Sequence, residues 1–143
     1  MLFQIIALFC CGTFFGAALY ISLAQHPATL EAGVRVGGLF FPPMYKRAAP
    51  LQIVLALIGF IAGGLVWFLG GNILWLIGAV FLISVVPITL ILIKPINDVL
   101  LSSDNDPESE STQALLLKWG PQHWIRTIVS GISFFLYIYA VVA

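Results

Sequence analysis

Ionisable side chains are scarce in this chain. Among its 143 residues there are six Lys or Arg, six Asp or Glu and two His. Charged residues make up 8%, against about 25% in a soluble domain, which excludes a water-facing globule. The first 25 residues contain no Asp, Glu, Lys, Arg or His. No stretch is basic enough to grip nucleic acid. The two cysteines, Cys10 and Cys11, are adjacent, and there is no C-x-x-C. Neighbouring cysteines seldom pair, so thiol–disulfide chemistry is not expected and both read as small apolar fillers. No acidic residue stands in the middle of an apolar run, which leaves little for ion-coupled transport.

What is abundant is apolar surface. Hydrophobic residues make up 61% of the chain and the mean hydropathy is +1.08. Four segments approach the roughly 20 residues needed to cross a bilayer, at about 2–24, 51–70, 73–93 and 122–143. The middle two belong to one uncharged stretch, Ala48 to Ile93, divided by the turn-forming Gly70, Gly71 and Asn72. Helices satisfy every backbone group internally, as lipid demands. The expected fold is therefore all-α: one integral membrane domain, residues 1–143, built as an up-and-down four-transmembrane-helix bundle. The first segment lacks a basic start and is longer than the roughly 7–15-residue core of a leader, so it reads as a span.

With four spans, the loops at about 25–50 and 94–121 lie on one side, and both chain ends on the other. All six basic residues fall on the loop side: Arg35, Lys46, Arg47, Lys94, Lys118 and Arg126. By the positive-inside rule those loops are cytoplasmic and both termini are on the non-cytoplasmic side. The expected location is a plasma membrane, the inner one in a bacterium.

In the first loop, Pro27 reads as the stop of helix one, and "GLFFPPMYKR" as an aromatic and basic lid at headgroup depth. In the second, "SSDNDPESEST" reads as a solvated linker and "QALLLKW" as a short helix on the membrane surface. "GTFFG" (Gly12 to Gly16) and "GFIAG" (Gly59 to Gly63) allow helices to approach closely, and Pro87 should kink the third span.

Polar residues at membrane depth are expensive and turn inward. On the fourth span His123, Thr127, Ser130, Phe134 and Tyr137 recur at helical spacing on one face, flanked by Arg126 and Ser133. His123 follows Pro121, a favoured helix start. The two histidines stand in similar settings, "QHP" at Gln25–Pro27 and "QHW" at Gln122–Trp124, and up-and-down winding makes the first and fourth helices neighbours. His26 shares the polar face of helix one, near Tyr20, only if the chain bends at Pro27. An imidazole there can be a base, a hydrogen-bonding group or a metal ligand.

Taken together, "ALYISLAQHPATL", "PPMYKRAAPLQ", "IKPINDVL" and "LKWGPQHWIRTIVSGISFFLYIYA" resemble the anthrone oxygenase-like family of small four-helix membrane proteins, many of them of unknown function. The resemblance implies oxidation of an activated aromatic C–H to a quinone by O2, by a cofactor-independent monooxygenase without metal or flavin. The positions matching the family pattern are His26, Pro27, Asn97, Trp119, His123 and Arg126. Gln25 stands where the family often has an acidic residue, which removes one candidate base. The chemistry asks for a base (His26 or His123) and for oxyanion stabilisation (Arg126 with Asn97). It also asks for an apolar slot, to which Tyr20, Gln25, Trp119, Trp124 and Tyr137 are assigned. The expected ligand is a hydrophobic aromatic or quinone-like molecule at the cytoplasmic helix ends. Two other readings stay open: a non-catalytic subunit of a larger membrane complex or homo-oligomer, and a haem or metal protein using His26 and His123.

Overall fold

The computed structural model describes residues 1–142; Ala143, the last residue of the expected fourth span, lies outside them. Four helices are long and apolar enough to cross a membrane: α1 (Leu2–Glu31), α2 (Val34–Phe68), α3 (Ile73–Leu100) and α4 (Glu110–Val142). Each packs on its sequence neighbours, and α4 closes the ring against α1. Large apolar side chains such as Phe9, Phe68, Ile91 and Phe135 face outward. A soluble monomer rarely exposes so much, whereas lipid solvates it.

The loops are much shorter than expected. Most of 25–50 is helical: α1 runs on through Pro27 to Glu31, and α2 starts at Val34. Gly33 makes the reversal at φ 102°, a conformation that costs glycine little. The "GLFFPPMYKR" segment is no lid but the first turns of α2, with Pro42 and Pro43 inside the helix. Packing overrides the prolines there. Gly37 lies against Leu116, Gly38 against Pro107, and Phe41 meets Trp119 edge-on at 5.6 Å.

Most of 94–121 is helical as well. Lys94–Leu100 completes α3, and "QALLLKW" belongs to α4, so Pro121 lies inside that helix and His123 well past its first turn. The acidic run is a pinned turn, since Ser109 Oγ accepts the Thr112 N–H at 3.1 Å and caps α4. The buried Thr112 hydroxyl donates to the Asp106 carbonyl at 2.7 Å.

At the other end of the bundle, Gly70 turns with φ 94°, and Asn72 Oδ1 accepts the Leu74 N–H at 3.0 Å to start α3. The core between there and mid-bundle is organised by Tyr137, which stacks on Trp75 at 5.0 Å. Its hydroxyl donates to the Gly59 carbonyl at 3.2 Å, and Ser133 donates to the Gly78 carbonyl at 2.7 Å. Gly78 leaves the ring its room, for a Cβ there would meet Tyr137 at 2.6 Å. At Gly16 an added Cβ meets nothing within 4 Å. Gly78→Leu should therefore lower stability by about 1–3 kcal/mol through overpacking, while Gly16→Ala leaves it unchanged or higher. Thermal melts of both variants in one detergent check the pair.

Candidate functional site

Two wide turns shape the charged end. Ile21–Gln25 and Thr89–Ile93 are π-helical, and each ends two residues before a proline. The His26 N–H reaches back to the Ile21 carbonyl, and the Lys94 N–H to Thr89. A proline in a regular helix removes a bond and crowds the carbonyl four residues earlier. Opening the ladder just before Pro27 and Pro95 relieves both. Tyr20 points outward, 63% exposed, while Ser22 and His26 face α4.

A cavity of about 120 Å³ lies inside this end. Its polar lining comes from Asn97, His123, Arg126, Gln52, Tyr45, Thr89 and the Trp119 indole, and its apolar lining includes Phe14, Ile21, Met44, Val85 and Ile93. Four of the expected residues thus meet in one space: Asn97, Trp119, His123 and Arg126. His26 does not line it. It borders a separate cleft between α1 and α4 with Ser22, Trp124 and the outer side of His123. Gln25 lines a small gap beside His26. Tyr20 is on the outer surface, and Tyr137 is in the core at the other end. Tyr20 lies off the face that α1 buries at Ala7, Cys11, Phe14, Ala18 and Ser22, and the polar stripe of α4 carries Tyr137 past the cavity into the packed core.

His123 is buried and held in one orientation. Its Nδ1 is 2.9 Å from Ser22 Oγ, which is 2.9 Å from Thr127 Oγ1, and Thr127 Oγ1 is 3.2 Å from the Ala18 carbonyl. A carbonyl only accepts. All three contacts are therefore satisfied together in a single order: Nδ1–H donates to Ser22, Ser22 to Thr127, and Thr127 to Ala18. That assignment leaves the lone pair on Nε2. His26 is tied the other way round, its Nε2–H donating to the Leu116 carbonyl at 3.0 Å. Trp119 lies against both rings, with centroids at 4.6 Å from His123 and 5.0 Å from His26. Its own N–H donates to Asn97 Oδ1 at 2.9 Å.

Arg126 has no carboxylate beside it. One guanidinium N–H donates to Gln52 Oε1 at 2.6 Å, and the guanidinium lies 5.5 Å over the Phe14 ring. Its Nε and the Asn97 Nδ2 have no partner, though Asn97 is only 1% exposed. Buried donors without partners are uncommon. Both residues line the same cavity, so a persistent cation and an amide donor stand together there. Among the described residues, no group of three or more His, Cys, Asp or Glu could hold a metal ion.

Gln52 and Ser22 were not anticipated. Each is a lone polar residue in an apolar run, and the rule that marked His123 and Arg126, that polar groups at membrane depth turn inward, applies to them equally. The tautomer is directly testable. In ¹⁵N spectra of histidine-labelled protein, one ring should show protonated Nδ1 with bare Nε2, and Ser22→Ala should weaken that preference.

A family model described as anthrone oxygenase matches residues 41–136. That segment includes Gln52, Asn97, Trp119, His123 and Arg126 and begins after Ser22 and His26. No curated protein and no solved structure matches the chain. The match covers well over half of the 143 residues and contains the polar groups that line the cavity; this four-helix membrane-type chain belongs to the anthrone oxygenase family.

Proposed function

We propose that the protein binds a hydrophobic aromatic molecule in the cavity at its charged end and oxidises an activated C–H of it with O2. The observation that carries this reading is Arg126, a cation without a counter-ion beside the unpaired Asn97 amide and the fixed imidazole of His123. His123 Nε2 takes a proton from the activated methylene, and the resulting enolate oxygen is held by Arg126 and Asn97. The electron-rich carbanion reduces O2, forming a C–O bond to a peroxide that recovers the proton. Loss of water then gives the ketone: one CH2 and one O2 become one C=O and one H2O, and no external reductant is consumed.

Trp119 acts by position, since its indole is fixed by Asn97 and flanks His123. His26 fits a structural part better than that of base. Its Nε2 ties α1 to the Leu116 carbonyl, and Gly120 makes room for its ring. Gln25, beside His26, lies outside the cavity, so the lack of an acid there leaves the base at His123 untouched. The charged end belongs on the cytoplasmic side of a plasma membrane and both termini on the other, by the basic-residue asymmetry. A C-terminal reporter fusion active only outside the cytoplasm is the expected result.

Purified wild type should consume one O2 per quinone formed from an anthrone. Arg126→Gln should lower kcat by about 10²–10³-fold, and His123→Gln by about 10²–10⁴-fold. Oxygen-electrode rates measure both, and correctly folded variants that keep wild-type turnover would remove the reading.

A further inference from the structure

The cavity has one side that is not closed by buried side chains. Phe14, Ala56, Val85, Ile93 and Trp119 seal it inside the bundle and are all buried. Of all its lining residues only two are exposed: Ile53 on α2, at 52%, and Leu90 on α3, at 56%. The opening therefore lies between α2 and α3. These helices pack closely along the half of the bundle that leads to the 69–72 turn, whereas Thr89–Ile93 of α3 departs from α2. Pro87 and the π turn that follows it account for the divergence. The residues around the gap, Ala48 to Ile93 in sequence, include no charged side chain. Ile53 and Leu90 lie on the outer surface of spanning helices, where they face hydrocarbon, and the half-buried Tyr45 and Thr89 add polar groups to the rim.

The enclosed volume sets the second limit. About 120 Å³ is of the order of the roughly 150 Å³ cavity that holds a single benzene ring. A ligand larger than one ring fits only if the rest of it passes through the opening. Arg126, His123 and Trp119 line the cavity from α4, with Asn97 beside them, whereas Gln52 and Thr89 stand next to Ile53 and Leu90 at the edge.

We propose that this site takes an amphiphile. An oxygen-bearing aromatic ring is enclosed against Arg126 and Asn97, and the apolar remainder of the ligand, fused rings or a chain, leaves between Ile53 and Leu90 to lie in the lipid. The inference rests on the functional reading above for the role of Arg126 and extends it to the shape of the ligand. Substrate and product then exchange laterally with the bilayer, and the remainder outside the protein gains no contacts it lacked in lipid. It is tolerated by the site, not bound by it.

The test uses 4-alkylphenols from phenol to 4-dodecylphenol, titrated calorimetrically into full-length protein in lipid nanodiscs, with empty nanodiscs giving the amount dissolved in lipid. Referred to the lipid-phase concentration, wild-type affinity should stay within about threefold along the series, because burial in protein and in lipid are equivalent for a chain that remains in the membrane. The double variant Ile53→Trp/Leu90→Trp should bind phenol as the wild type does and lose the long members by at least about tenfold. A wild type that rejects the longer chains, or a double variant that accepts them all, overturns the proposal. Independently of any variant, a diazirine at mid-chain should label the lipid-facing residues around Ile53 and Leu90; labelling of Trp75 or Tyr137 in the core overturns it too. Arg126→Gln should weaken every member equally. If it weakens none, the functional reading fails while the route for the chain stands, and if no member binds wild type, both fail.

Discussion

Hydrocarbon does not hydrogen-bond, so every polar group in this bundle has to find its partner inside the protein. Many of the fully buried ones do so along α4. Ser133 and Tyr137 spend their hydroxyls on carbonyls of Gly78 and Gly59, and Thr127 holds Ser22 and through it His123. The same rule governs the prolines. Two π turns reconnect the backbone ahead of Pro27 and Pro95, and the second lies beside the gap at Leu90. Structural satisfaction and site geometry are thus one problem, solved by the same residues.

Against that background the exceptions stand out. Besides Gln122 Oε1, the buried side-chain atoms without a partner among the described residues are Arg126 Nε and Asn97 Nδ2, and these two residues line the same cavity as His123. A cation that stabilises the bundle is ordinarily matched by a carboxylate, yet all six acidic residues lie elsewhere. Gln52 and the Phe14 ring orient the guanidinium without neutralising it. Preorganised positive charge in an apolar site stabilises charge that develops during a reaction more than charge already present in water. That is what proton abstraction from carbon needs.

Much of this was legible in the sequence. Four apolar runs and the clustering of every charged residue at one end led to the helix count and to the end where the cavity lies. Polar spacing on the fourth span brought out His123, Thr127 and Ser130. Proline read as a helix stop makes the loops longer than they are, for the helices run through Pro27, Pro42, Pro43 and Pro121. Buried packing of Gly37, Gly38 and Phe41 holds α2 together through Pro42 and Pro43, and that packing depends on residues over seventy positions away, such as Leu116. Ser22 stands four residues after Ala18 on the face that α1 buries, a position that a 3.6-residue period reaches, whereas Tyr20 stands off it. Gln52 carried a readable signal, a single amide in an uncharged run, and its partner Arg126 lies 74 residues further on.

The most direct test of the account is the preference of the cavity for negative charge. The measurement is the ratio of affinities for an ionised enolate analogue and its uncharged methyl ether, in wild type and in Arg126→Gln. A wild type that prefers the ionised form by about a hundredfold, with the preference gone in the variant, is the predicted result. Equal ratios in the two proteins would contradict it.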